Sequence, residues 1–303
     1  MDFLELNLLF AQIVEEGAIE MSAWPDEISF EHFALASEAG RLSWRRKIEL
    51  YQLEAITNAL RLDKLQSYYV VGSTSTEMMR VAGTQSVHQQ LYIAECQVQG
   101  RGRRGRTWAS PFARNLAFSY GHRFNIPMSM LGGLSLVVGL AVAESLGTIT
   151  EAHVHVKWPN DVVVGEQKLC GILVELAQNG NVVEAVIGIG VNVDLDHADR
   201  VDIDRDVTDL RTLGISSSRT EVLISVVRSL QRFLARFDEV GFEPFIDAFN
   251  ETHIYHGKSC VIHQGDRIIR GQVEGVDVDG ALILSTDTGL RTFHGGEVSL
   301  RGS

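Results

Sequence analysis

Two short segments hold most of the residues able to do chemistry on an anion. The first is Gly100-Arg101-Gly102-Arg103-Arg104-Gly105-Arg106, followed closely by Trp108, Ser110, Pro111 and Phe112. Its glycines let the backbone bend and bring amides close to a ligand, and its guanidinium groups are forked donors that match phosphate or carboxylate. From Cys96 to Ala143 the chain has no acidic residue but carries Arg101, Arg103, Arg104, Arg106, Arg114 and Arg123. That unbalanced charge predicts a flap that closes only over an anion. The second segment is the turn Lys157-Trp158-Pro159-Asn160-Asp161, with Lys168-Leu169-Cys170-Gly171-Ile172-Leu173 soon after it. Asn and Asp are ordinary turn residues, so the turn alone says little. A strand-end lysine is usually solvated too; Lys168, beside the small Gly171 and at the mouth of an apolar strand, can instead reach into a pocket.

The loop also satisfies the spacing G-x-G-x-x-G. A dinucleotide fingerprint needs a helix behind it and an acid roughly 20 residues on. Here Trp108-Ala109-Ser110-Pro111 follows, and the next acid is Glu144. No Gly-x4-Gly-Lys-Ser/Thr phosphate loop is present either. An RNA contact through the RGRRGR run is the plainer alternative, and the net charge of -12 disfavours it.

These segments need a scaffold, and 303 residues suffice for two or three domains. The 45% hydrophobic and 22% charged balance is that of a globular chain with a real core. Cys96, Cys170 and Cys260 are far apart, in no metal-ligand spacing and unsuited to a disulfide framework, which points to a reducing compartment. The start, Met1-Asp2-Phe3-Leu4-Glu5, lacks a basic secretory leader. Ile126 to Ala143 is uncharged, but short for a membrane span and broken by Pro127, Gly132 and Gly133, so a buried core helix is expected. Residues 1–40 carry nine acids and no Lys or Arg.

The pattern predicts helices at Leu4–Glu16, Ser29–Glu38 and Glu49–Leu62, then strands at Tyr68–Val71 and Leu91–Cys96 around a helix Ser75–Ala82. Strand Asn115–Tyr120 and the apolar helix Ser129–Leu146 follow. Next come strands at His153–Val156, Asp161–Val164, Leu169–Leu176 and Val182–Val193, the last two joined at Asn179-Gly180. Their short connections favour antiparallel pairing. Ser218-Arg219-Thr220-Glu221 reads as a capping box opening a helix to about Phe237. Five short strands between Gly257 and Arg301 suggest a small barrel. The expected division is 1–62, a short acidic helical region; 63–252, the α+β unit carrying both motifs; and 253–303, the barrel.

Taken in order, Gly100–Arg106 with Trp108, Ser110 and Pro111, then Lys157–Asp161, Lys168–Leu173, Gly188-Ile189-Gly190-Val191-Asn192 and Gly295–Arg301 resemble the biotin–protein ligases, from about residue 48 onward. The resemblance implies an α+β fold of the class II synthetase-like kind, with a mixed, largely antiparallel sheet flanked by helices and an SH3-like C-terminal barrel. It implies activation of biotin with Mg2+-ATP to biotinyl-adenylate, then transfer to a lysine of the biotin carboxyl carrier protein of acetyl-CoA carboxylase. Lys168, Arg101 and Arg103 are the catalytic residues so implied. Biotin would meet Ser73, Thr74, Ser75, Gln97, Gly100, Arg101, Arg103, Lys168, Gly171, Leu173 and Gly188. ATP would meet Arg103, Arg106, Trp108, Asn160, Asp161, Lys168, Asn192 and Arg301. No resident metal is implied. The enzyme would be cytoplasmic, without membrane attachment, and its relatives allow a homodimer. Ser75 stands where the family usually has Asn. The acidic N-terminus is poor material for the winged helix-turn-helix of bifunctional members, because nothing in it neutralises phosphates, so specific DNA binding is not expected. The rivals are a lipoate or octanoate–protein ligase or transferase of the same fold, and a DNA-binding biotin sensor.

Overall fold

The computed structural model describes residues 3–25, 28–196, 199–200, 206–264, 267–295 and 299–302. Helix α1 (Phe3–Glu16) is followed by strand β1 (Ala18–Glu20), two 3-10 turns (Met21–Ala23 and Phe30–Phe33), β2 (Leu35–Glu38) and β3 (Arg41–Trp44). The three strands form one small antiparallel sheet in the order β1-β3-β2. The helix expected over Ser29–Glu38 is therefore a 3-10 turn and a strand. Ala34 at φ 62° stops the turn, and Ala39 and Gly40, at φ 50° and 80°, make a two-residue hairpin turn between β2 and β3.

The central unit comprises α2 (Leu53–Ala59), β4 (Lys64–Val71), α3 (Thr74–Ala82), β5 (Gln90–Gln97), β6 (Asn115–Phe124), α4 (Leu134–Gly147), β7 (Val154–Lys157), β8 (Asp161–Val164), β9 (Gln167–Asn179), β10 (Val182–Asn192), α5 (Arg219–Val240) and α6 (Ile246–Thr252). Its seven strands run in the order β4-β5-β6-β10-β9-β8-β7. Only β4 and β5 pair in parallel, with α3 as the crossover; the others are antiparallel. Helix α4 is apolar on nearly every side because it is buried on nearly every side, between the sheet, α5 and α6. Among the described residues no helix is long and apolar enough to cross a membrane. Helix α5 opens with the expected capping box: Ser218 Oγ accepts from the Glu221 amide (3.2 Å), and the Glu221 carboxylate accepts from the Ser218 amide (2.8 Å).

Strands β11 (Ser259–Gln264), β12 (Arg267–Val276), β13 (Leu282–Thr286), β14 (Gly289–Phe293) and β15 (Ser299–Gly302) make a five-stranded antiparallel sheet, ordered β14-β13-β12-β11-β15. One hydrophobic core runs from α4, α5 and the central sheet into Ile262, Val273, Leu282 and Leu284 of this last sheet. The Trp158 indole, at the turn before β8, donates to the Gly280 carbonyl (3.1 Å) and ties the two sheets together.

The N-terminal module packs where the site begins. Leu6, Phe10, Ile13, Trp24, Phe33 and Leu42 share a core with Val70 of β4, Cys96 of β5 and Phe112. Phe10 stacks on Phe112 with ring centroids 4.9 Å apart. Asn7 covers the free edge of β4: its Oδ1 accepts from the Tyr69 and Val70 amides (2.7 and 3.2 Å), and its Nδ2 donates to the Val70 carbonyl (2.7 Å). A sheet edge left open is a template for unwanted pairing, and this side chain occupies the edge at Tyr69 and Val70.

Candidate active site

Helices α4 and α5 cover one face of the central sheet. On the other face, α3 lies over β5, β6 and β10, where Met78 and Ala82 pack against Tyr92 and Val186. Beyond α3 the sheet surface is lowered by glycine. Gly171 of β9 and Gly190 of β10 are cross-strand partners, and a Cβ on either would run into the Trp108 indole. The next row is Ser119, Gly188 and Leu173, in register across β6, β10 and β9. Side chains two apart on a strand share a face, so Gly171, Leu173 and Glu175 line one wall of a groove.

At one end of that wall stands Lys168. A register shift between β8 and β9 at Val162 and Val163 brings its side chain beside Asp161. Lys168 Nζ lies 2.5 Å from Asp161 Oδ1 and 5.6 Å from the Trp108 ring centroid. It sits within 3.0 Å of where a Cβ on Gly171 would be, so that glycine is what lets the ammonium lie there. Asn192 is buried and fixes the strand end, its amide donating to the carbonyls of Lys168 (3.3 Å) and Thr208 (3.1 Å). Cys170, next door, points into the core; burial pushes its thiol pKa up, which removes it as a nucleophile.

A hydroxyl cluster occupies the middle of the groove. Ser73 caps α3. Thr74 donates to Gln97 Oε1 through its amide (2.8 Å) and its hydroxyl (3.0 Å). Ser119 Oγ lies 2.8 Å from Thr74 Oγ1 and 2.9 Å from Ser75 Oγ, so it joins the two. A Cβ at Gly188 would strike Ser75 Oγ. Ser73, Thr74, Ser75, Gln97, Leu173 and Gly188 thus converge, with Ser119 an addition that sequence reasoning missed. It sits between Phe118 and Tyr120, on the opposite pleat from those two core rings, which by alternation alone reads as a solvent-facing position.

The arginine–glycine segment folds over this groove as a hairpin. Trp108 N donates to Gly100 O (2.9 Å), Gly102 N donates to Arg106 O (2.7 Å), and Arg101 bridges Thr107. Arg104 and Gly105 turn its tip with φ of 60° and 69°. Two arginines of the flap find acceptors within the protein itself. Arg101 forks onto Glu175 (2.7 and 3.2 Å), and Arg103 donates to Asn160 Oδ1 (3.2 Å) and to the Gly295 carbonyl. Burial, with Arg104 alongside, lowers the Arg103 guanidinium from its usual pKa. Asn160 is held in turn by donating to Ile172 O (2.6 Å). Arg106 is exposed on the flap. The backbone of Arg301 pairs with Val261, while its side chain lies outside the described residues, as do Gly296, Glu297 and Val298. The indole Nε1 of Trp108 is buried with no acceptor among the described residues and lies against Gly190.

The site therefore has a fixed cation at one end, a hydroxyl–amide cluster in the middle and a cationic flap above. Such an arrangement suits a ligand that brings uncharged polar groups together with negative charge. Comparison with known proteins agrees. Residues 68–192 match the biotin/lipoate A/B protein ligase family, and residues 255–301 match the biotin protein ligase C terminal domain. The chain is 36% identical over 212 residues to the bifunctional ligase/repressor BirA of Escherichia coli, covering 70% of this chain and 66% of that protein, just under two thirds of its length. It is 32% identical over 237 residues to the biotin–[acetyl-CoA-carboxylase] ligase of Paracoccus denitrificans, covering 76% of this chain and 98% of the relative. The biotin protein ligase of Aquifex aeolicus, solved in complex with biotin and ATP, superposes with a TM-score of 0.66 at 30% identity, over 80% of this chain and 100% of that one. Fold, site and relatives together show that this chain belongs to the biotin protein ligase family.

Proposed function

We propose that the protein is an ATP-dependent ligase that activates biotin as biotinyl-5'-AMP and passes it to one lysine of a biotin carboxyl carrier protein. The observation that carries this is the Lys168 ammonium, pinned between Asp161, the Trp108 ring and the Gly171 floor. In the first step the biotin carboxylate attacks the α-phosphorus of Mg2+-ATP and pyrophosphate leaves. Two anions must touch, and a cation already fixed at their junction lowers the barrier without having to reorganise. Asp161 orients that cation. In the second step the acceptor amine attacks the anhydride carbonyl, loses a proton, and AMP departs.

Thr74, Ser75, Gln97 and Ser119 would bind the ureido head, with Ser73 fixing their helix and Leu173 and Gly188 shaping the wall. Trp108, Asn160, Arg106 and Arg301 would face the nucleotide, and Arg101 and Arg103 would keep water from the adenylate. Asn192 acts one step back, by holding the backbone of Lys168. Incubation with Mg2+-ATP, biotin and a carrier domain should add one biotinyl group to the carrier lysine, read by mass. Modification with lipoate but not biotin would move the assignment to the lipoate branch of the fold.

The N-terminal module serves, in this reading, to brace the site rather than to read an operator. Between residues 3 and 44 the described residues hold one α-helix and a three-stranded sheet, whereas a helix-turn-helix needs a second helix for the groove. Its contacts go to β4, β5 and Phe112, which lead into Ser73, Gln97 and the flap. Duplex DNA should show no salt-sensitive binding by anisotropy; an affinity that falls with rising salt would restore the repressor reading. The three cysteines are free and buried, consistent with the cytosol.

A further inference from the structure

The flap is anchored at three separate points, and the acceptor at one of them has no place in the reaction just described. Trp108 rests on Gly171 and Gly190, and Arg103 reaches Asn160 and Gly295. The third anchor is Glu175. It stands on the groove wall four residues along β9 from Gly171, roughly 13 Å at the rise of an extended strand. Its carboxylate takes both terminal nitrogens of Arg101, and Thr76 Oγ1 of α3 lies 3.4 Å from one of them. Arg101 therefore works at the far end of the groove from Lys168.

From this geometry we infer that Glu175 is a positioning residue: with Arg101 it forms a latch that holds the flap shut over the head-group end and sets how long ligand stays. A forked guanidinium–carboxylate pair fixes direction as well as distance, which suits a hinge that must close in one pose. The pair is also partly wet, with Arg101 45% and Glu175 20% exposed. A wet pair can open on each turnover, which a fully buried one would not allow. Its strength should therefore depend on salt, because at about 1 M the screening length falls to roughly 3 Å.

The proposal rests on the biotin-ligase reading for what is retained, but the latch itself can be tested without any ligand. Trypsin must draw the chain around Arg103 or Arg104 into an extended pose to cut it, so cleavage is faster when the hairpin lifts. In E175Q the flap of the unliganded protein should be cut about three- to five-fold faster than in wild type, the scale expected for one partly exposed pair. R101Q should behave alike, and the double variant should be no worse than either single one. The reversed pair, R101E with E175R, should restore slow cleavage. With biotin and Mg2+-ATP present, E175Q should release adenylate faster by a similar factor, and wild type in high salt should resemble it. Unchanged cleavage in both E175Q and R101Q, or a reversed pair that cuts as fast as the single variants, would overturn the latch. Wild type that binds no biotin yet shows the cleavage pattern would instead count against the proposed function and leave the latch standing.

Discussion

Gly190 shows how closely single residues are matched at this site. Any side chain there would meet the Trp108 indole, so Gly190→Ala must either push the ring away or strain β10. Overpacking of this kind costs roughly 1–3 kcal/mol, and the flap base is the softer partner. We expect G190A to fold with a near-normal melting temperature but to bind biotin and nucleotide at least ten-fold more weakly by calorimetry. Unaltered affinity would show that the indole does not need its glycine floor. Lys168 and the arginines stood out by residue type and spacing because charge in an apolar or acid-free setting is conspicuous, whereas Asp161 sat in an ordinary turn and drew notice only through the family resemblance. Glu175 and Ser119 were not, because one polar residue in an alternating strand reads as a solvent-facing position. Only the pairing of β10 with β9 and β6 puts them on the groove face.

Among the elements, those marked by a capping box or closely spaced turns came out near their observed bounds, as Ser218 with α5 and the β11–β15 run show, whereas the helix expected over Glu49–Leu62 is confined to Leu53–Ala59. The failure at residues 29–38 has a local cause. A two-residue turn at Ala39-Gly40 needs positive φ at an alanine, and only burial of Leu35 and Leu42 against α1 makes that worthwhile. Helix α5 is secured to β5 by an ion pair that was also hidden in the sequence. Arg219 Nη2 lies 2.5 Å from Glu95 Oε2, both residues almost fully buried, and Glu95 also accepts from the Tyr51 amide (2.9 Å). Removing one partner strands a buried charge, so Arg219→Met should cost about 3–5 kcal/mol in denaturant unfolding. The double change to Met and Leu should recover most of it. A single variant within 1 kcal/mol of wild type, roughly the scale of an exposed pair, would place Glu95 in water.

For the molecule as a whole, two buried histidines tie stability to pH. Burial, then the neighbouring His88, pushes the His122 pKa from 6.5 down to about 4. Burial, then His256, Lys157 and Lys258, pushes His253 down to about 3. Both folded values lie below the unfolded one, so the unfolded chain takes up protons first as pH falls. The contribution is complete above about pH 6.5 and is lost progressively down to each folded value. The melting temperature should therefore fall between pH 6.5 and 5, before most carboxylates titrate, and H122F and H253F should each flatten that slope. His253 lies where the central and C-terminal sheets meet, through its bridge to Val156, so H253F reports on that junction in particular. A slope unchanged in both variants would mean that neither ring is dry.

The central claim is that Lys168 bridges two anions. Biotin-dependent exchange of labelled pyrophosphate into ATP isolates that step from binding and from transfer to the carrier. In K168A the exchange rate should fall by at least a hundred-fold, about 2.7 kcal/mol of lost transition-state stabilisation. Biotin affinity, measured alongside by calorimetry, should change less than about five-fold. Exchange near the wild-type rate, or a loss of exchange matched by an equal loss of biotin binding, would contradict the account.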